Sequence, residues 1–149
     1  MKEEKGFTLI ELLIVIAIIG IIVTIATPQF MNALQKGKQK TTMANIRSIG
    51  TAIESYITDY YFAPRQATLG NISNIAADLA LYTRIPATDG WGNPILYEAS
   101  DAANPESYTI LSYGRNGAED AGIADGYPAT QFEGDIIFQN GDFVKKPKS

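Results

Sequence analysis

The sequence is organised around the stretch from Phe7 to Thr27, FTLIELLIVIAIIGIIVTIAT, an almost unbroken apolar run whose single charged residue is Glu11. At a helical rise of about 1.5 Å per residue, about 20 residues reach about 30 Å, the thickness of the hydrocarbon core of a bilayer. The run therefore predicts a membrane-spanning helix over residues 7–28. A charge near the centre of such a helix costs about 2.5–3.5 kcal/mol, and less toward an end, so Glu11 indicates a function beyond anchoring.

The rest of the chain is long enough for one small globular body. The chain has 149 residues, a formal net charge of −4, no cysteine and no histidine. About 120 residues remain beyond the apolar run, which predicts one modest core without disulfides. Without histidine, the candidates for acid–base chemistry are carboxylates, tyrosines and lysines. The basic residues do not form a patch with interleaved aromatics, which argues against a nucleic acid partner.

The residues that flank the run predict its orientation. Residues 1–6, MKEEKG, form a short polar segment. The small-residue cleavage pattern of a secretory signal does not follow the apolar stretch. Lys2 and Lys5 predict that this end stays cytoplasmic, so that the body after Thr27 emerges on the other side of the membrane. Pro28 predicts a bent or loosened turn with helix on both sides.

Residues 29–62 change from uniformly apolar to amphipathic. Apolar side chains recur every three or four residues, with Arg47, Glu54 and Thr58 between them, which is the pattern of a helix with one buried face. The segment predicts the second half of one continuous helix, ended by Ala63-Pro64, whose apolar stripe packs on the globular body. The stripe consists of Ile46, Ile49, Ile53, Tyr56, Ile57 and Tyr60.

Residues 63–149 predict the globular domain. Its first part, 63–88, predicts a linker with one short helix, capped by Asn71 or Ser73, that buries Ile75, Leu79 and Tyr82. The second part, 89–149, begins with a turn cluster, DGWGNP, around the only tryptophan, Trp91. Strands are predicted at 94–98, 107–113, 135–139 and 142–144, the last two joined by the hairpin signal Asn140-Gly141. The tail 145–149 is predicted to be frayed. The fold class is α+β, with a small antiparallel sheet on the long helix.

The stretch G-F-T-L-I-E-L-L-I-V-I-A-I-I-G, which begins at Gly6, resembles the leader and N-terminal helix of type IV pilins and pseudopilins. The resemblance implies that a prepilin peptidase cuts after Gly6 and methylates the new amine of Phe7, and it places the family's acidic residue at Glu11. A free amine and a carboxylate in lipid would offset each other's desolvation, within one subunit or between neighbours. The alternative is that Glu11 is merely tolerated near the membrane surface.

Two further features resemble the major pseudopilin of type II secretion systems. One is the D-G-W-G-N-P turn, and the other is the loop from Gly114 to Gly134, which is rich in acids. Carboxylate, amide and carbonyl oxygens are the ligands that Ca²⁺ requires, and the family resemblance implies a calcium site in this loop. Its implied ligands are Asn116 and Asp135, with the carbonyls of Leu111 and Tyr113, and with Asp120 and Asp125 as extra candidates. Asn116 stands where the family has an aspartate, which should weaken binding; the alternative is a solvated acidic loop without metal.

The resemblance thus predicts a pilin-like structural subunit and not an enzyme. It implies a homopolymer with minor pseudopilins or pilins, built by an inner-membrane platform, with the C-terminal domain in the periplasm. The alternative within the same class is a type IV pilin of a surface fibre. A membrane-anchored hydrolase would need carboxylates that converge in a cleft, whereas the acids here concentrate in one loop.

Overall fold

A computed structural model describes residues 6–100, 103–120 and 125–148. The leader residues 1–5, on which the predicted cytoplasmic position of the N-terminus depends, lie outside these ranges. The chain divides into two compact units, one ending at Leu34 and the other beginning at Gln35. Within the described ranges the elements are one long helix, a short 3₁₀ helix and a five-stranded antiparallel sheet, which confirms the predicted α+β class.

The long helix, α1, extends over Leu9–Tyr60 and continues through Pro28, so helix lies on both sides of the proline as predicted. By length and composition it can cross a membrane: its most apolar window has a mean hydropathy of 3.0, and none of that window is buried. The helix ends at Tyr60 because Tyr61 adopts the left-handed conformation, with φ of 67°.

The short helix predicted within 63–88 is a single 3₁₀ turn, Ile72–Ile75, followed by turns. Asn71 is its cap and accepts a hydrogen bond from the Ser73 N–H at 2.9 Å. Ile75 and Leu79 are buried as predicted, whereas Tyr82 is only half-buried. The Tyr82 hydroxyl donates to Asp59 at 2.5 Å, and this bond raises the pKa of Tyr82 to about 12.

The sheet is a meander in which each strand pairs antiparallel with the next. Asn140 and Gly141 form the hairpin turn between the last two strands with φ of 46° and 92°, which confirms the Asn-Gly prediction. The first strand was not predicted, and it consists of only two residues. The strands are β1 (Gly70–Asn71), β2 (Leu96–Ala99), β3 (Tyr108–Ser112), β4 (Ile136–Gln139) and β5 (Asp142–Lys145).

The core lies between the second half of α1 and one face of the sheet. Ile46, Ile49 and Ile53 are fully buried, as their spacing predicts, and pack in one cluster with side chains from the strands. Each such side chain contributes about 1.5–3 kcal/mol when fully buried. Tyr56 and Ile57 are half-buried against this cluster. Tyr60 is 47% exposed and stacks on Tyr56 with ring centroids 4.4 Å apart. The prediction that Tyr60 is buried is wrong because the helix ends at this residue.

Candidate functional site

In the N-terminal unit, the side chain of Glu11 folds back onto Thr8, the residue before the start of α1. Its carboxylate accepts hydrogen bonds from the Thr8 N–H at 2.8 Å and the Thr8 hydroxyl at 2.6 Å, and the Glu11 N–H donates to the same hydroxyl at 3.3 Å. This is a capping box, in which two otherwise unpaired N–H groups are satisfied reciprocally. The carboxylate therefore contacts the residue that directly follows Phe7. Phe7 is the residue predicted to carry the free amine. The T-x-x-E signature was present in the sequence, but Thr8 was missed as a functional residue.

The rest of this unit is mostly apolar and exposed. Every residue from Phe7 to Leu34 is exposed. The hydroxyls of Thr24 and Thr27 donate to the carbonyls of Gly20 and Val23 at 2.8 and 2.7 Å. Because these hydroxyls form hydrogen bonds within the helix, they add little to the free-energy cost of transferring the helix into lipid.

In the globular unit, Asp89 organises the tryptophan turn. The side chain is buried, and its Oδ1 accepts from the N–H groups of Trp91 and Asn93, each at 2.9 Å. Its Oδ2 accepts from the hydroxyl of Ser112, a fully buried residue at the end of β3, at 2.8 Å. Gly92 has a φ of 94°, a conformation that other residues resist. A single carboxylate thus folds the turn and fixes it to the sheet.

The same turn contacts α1 and the start of the acidic loop. The indole N–H of Trp91 donates to Gln35 at 2.6 Å, so the tryptophan lies against the helix. The Gly90 N–H donates to Thr42 at 2.9 Å, and a Cβ on Gly90 would lie 2.3 Å from the Lys38 carbonyl oxygen, so only glycine fits there. On the other side, Asn93 donates to the Gly114 carbonyl at 2.6 Å.

The acidic loop brings together part of the predicted calcium ligand set. The Asp120 N–H donates to both oxygens of Asp135, at 3.3 and 3.2 Å, and Asn116 donates to the Asp120 carboxylate at 3.1 Å. Extension of the β3–β4 register places Tyr113 opposite Asp135. Leu111 lies within β3, opposite Ile137. Asp125 accepts from the Lys146 N–H at 3.0 Å.

The Asp135 carboxylate already has a cationic partner in the structure. The ammonium of Lys145 lies 3.0 Å from Asp135 Oδ2 and 3.0 Å from the Asp120 carbonyl oxygen. Within the ranges that the structure describes, no group of three or more carboxylates is close enough to hold a metal ion. The calcium site stays a prediction of the family resemblance. The structure adds that the Lys145 ammonium would compete with a calcium ion for Asp135, which the sequence did not reveal.

The predicted frayed tail is wrong for the residues up to Lys148. The Gly126 N–H donates to the Lys146 carbonyl at 3.0 Å, and the Lys148 N–H donates to the Tyr127 carbonyl at 2.8 Å. Tyr127 is buried, which raises the pKa of its hydroxyl, and it donates to the Gly134 carbonyl at 3.0 Å. The basic tail is ordered because the loop supplies partners for its backbone.

An exposed apolar helix that continues into an amphipathic half packed on an antiparallel meander defines a type IV pilin-like protein. The chain matches the family model of the prokaryotic N-terminal methylation motif over residues 1–27. Over residues 29–126 it matches the family model of the type II secretion system (T2SS), protein G, and the chain belongs to that family. The predicted resemblance to the pilins and major pseudopilins is therefore confirmed.

Curated relatives come from both branches of this class. Type II secretion system core protein G of Pseudomonas aeruginosa is 27% identical over 129 residues, which cover 80% of this chain and 91% of the relative. The core protein G of Escherichia coli is 26% identical over 125 residues, covering 77% and 84%. Type IV major fimbrial protein FimA of Dichelobacter nodosus is 34% identical over 116 residues, covering 77% and 74%. No solved structure matches the chain.

Proposed function

We propose that this chain is a structural subunit of a type II secretion pseudopilus, which polymerises through its N-terminal helix after leader cleavage and helps to drive protein export. The observation that carries the proposal is the exposure of every residue from Phe7 to Leu34 in a member of the protein G family. A long and mostly apolar surface of this kind needs lipid or other helices around it. The membrane supplies the first environment and the filament supplies the second.

The N-terminal site acts in assembly. A prepilin peptidase cleaves after Gly6 and methylates the amine of Phe7. That amine then lies next to Thr8, whose N–H and hydroxyl already bond to Glu11. A charged amine and a carboxylate in lipid both lack solvation, and pairing them within or between subunits offsets that loss. Subunits that pair in this way gain a fixed register along the filament.

The globular unit remains outside the membrane, on the periplasmic face of the inner membrane. The subunit assembles with copies of itself and with minor pseudopilins, and an inner-membrane platform extracts it from the bilayer. Exchange of lipid for sister helices is favourable when helix packing and the Glu11 pair compensate for the lost lipid contacts. No step in this role requires catalysis by the chain.

A second candidate is the major subunit of a type IV surface fibre. The 34% identity to the fimbrial protein FimA, which extends over 77% of this chain, favours it. The tryptophan turn and the match to the protein G model favour the pseudopilus.

Two positions test the assembly site. Gly6→Ala should leave the leader attached, which the mass of the membrane-bound chain measures; a normally shortened chain would refute the cleavage site. Glu11→Ala and Glu11→Gln should both reach the membrane but give little filament, measured by cross-linking of neighbouring subunits and by the yield of sheared filaments. Glu98→Gln, an exposed carboxylate on β2, is the matched control.

Glu11→Gln separates the two roles of the carboxylate. Glutamine keeps an oxygen for the Thr8 N–H but has no charge. If Glu11→Gln assembles like the wild type while Glu11→Ala does not, the capping bond is what matters and the proposed charge pair is refuted. If both variants assemble normally, assembly does not depend on Glu11.

A further inference from the structure

Lys145, at the end of strand β5, contacts the acidic loop at Asp120 and contacts Asp135, which follows the loop. Its ammonium donates to Asp135 Oδ2 and to the Asp120 carbonyl oxygen, both at 3.0 Å. Asp120 lies in the first half of the loop and Asp135 follows its end, so one side chain fixes both positions. The Asp120 N–H also donates to the Asp135 carboxylate, which closes a ring of contacts among the three residues.

The pair is shielded from solvent. The side chains of Lys145 and Asp135 are 13% and 4% exposed. A carboxylate at this depth is strongly destabilising without a compensating cation and hydrogen bonds. In this chain the cation is covalently part of the protein.

An ammonium and a calcium ion cannot use these oxygens together. Calcium binds oxygen ligands at about 2.3–2.6 Å and needs six to eight of them. A calcium ion on Asp135 would lie within a few ångströms of the ammonium, and like charges at that distance repel strongly away from bulk water. The side-chain oxygens of other predicted ligands are also engaged: Asn116 Oδ1 accepts from the Ala118 N–H, and Asp125 Oδ1 accepts from the Lys146 N–H.

We infer that the Lys145 ammonium takes the structural role that the family resemblance assigns to calcium, so that Asp120 and Asp135 are held together without a metal ion. The ammonium of Lys145, which is part of the chain, replaces a calcium ion from solution. The contact between Asp120 and Asp135 then depends on the folding of β5 and not on the calcium concentration outside the membrane.

The test uses the full chain in detergent micelles, with thermal unfolding followed by the fluorescence of Trp91, the only tryptophan. The wild type should melt at the same temperature in excess chelator and in millimolar calcium chloride. Lys145→Met should lower the melting temperature by about 5–15 °C, because Asp135 loses its cation. Lys148→Met is the matched control, since that lysine is exposed, and it should melt like the wild type.

A double variant tests whether the two charges act as a pair. Lys145→Met combined with Asp135→Asn should lose less stability than the sum of the two single losses; strictly additive losses would show no coupling and would overturn the inference. A rise of several degrees in the wild-type melting temperature on addition of calcium would also overturn it, and this result needs no variant to fold. Both measurements are made on monomers in micelles, so neither depends on whether the chain forms a pseudopilus.

Discussion

Replacement of Asp89 by alanine should destabilise the globular domain more than the loss of any exposed carboxylate. The carboxylate is buried and accepts three hydrogen bonds, from the N–H groups of Trp91 and Asn93 and from the hydroxyl of Ser112. Alanine leaves all three donors without this acceptor. The turn would then lose its shape and its attachment to β3 together.

The size of the effect follows from where each donor lies. A hydrogen bond to a charged group contributes about 1.5–3 kcal/mol. Trp91 and Asn93 are half-buried, so their N–H groups can bond to water after the substitution, and each adds less to the loss of stability. Ser112, in contrast, is fully buried. We therefore expect a loss of about 3–5 kcal/mol in the free energy of unfolding. Asp89→Asn keeps one accepting oxygen and should lose about half as much.

The assay is urea unfolding of the full chain in micelles, followed by Trp91 fluorescence. With a slope of about 2 kcal/mol per molar urea, the midpoint for Asp89→Ala should fall by about 2 M. Asp78→Ala, at an exposed carboxylate, is the control and should stay within about 0.5 kcal/mol of the wild type. A midpoint for Asp89→Ala equal to that of the control would refute the role assigned to the carboxylate.

Two other perturbations test the packing and the electrostatics of the core. Gly50→Ala places a Cβ 2.3 Å from Cε1 of Phe138, which is only 2% exposed, so it should destabilise by about 1–3 kcal/mol despite the better helix propensity of alanine. Gly37→Ala has no atom within 4 Å of its Cβ and should stabilise by up to about 1 kcal/mol; urea midpoints that shift alike would contradict the packing. Burial raises the pKa of the core tyrosines Tyr97, Tyr108 and Tyr127. Unfolded tyrosines ionise near pH 10. The contribution of the raised pKa values to the free energy of unfolding is therefore complete below about pH 10, and it falls above that pH by up to about 1.4 kcal/mol per pH unit for each tyrosine. A urea midpoint that stays constant between neutral pH and about pH 11 would be inconsistent with these shifts.

The elements with strong local signals were predictable from the sequence. The apolar run and the spacing of Ile46, Ile49 and Ile53 predicted one long helix with one buried stripe, and the structure confirms both. Asn140-Gly141 predicted its hairpin because a tight turn with two positive φ angles favours these residues. Each of these features depends on neighbours in the sequence.

The features that were missed depend on residues distant in the sequence. The two residues of β1 form a strand only because β2 lies beside them, with Gly70 opposite Tyr97. The burial of Asp89 depends on Ser112, and the order of the tail depends on the loop around Tyr127. The pairing of Lys145 with Asp135 has no local signature either, since a lysine at the end of an edge strand is ordinarily solvated.

The most direct test of the central claim is to delete the gene in its host and to measure both extracellular enzymes and surface fibres. The pseudopilus account expects enzymes that are normally exported to accumulate in the periplasm while surface fibres persist. The wild-type gene should restore export, and the Glu11→Ala variant should not. Normal export together with the loss of surface fibres would contradict the account and identify the chain as a pilin of a surface fibre.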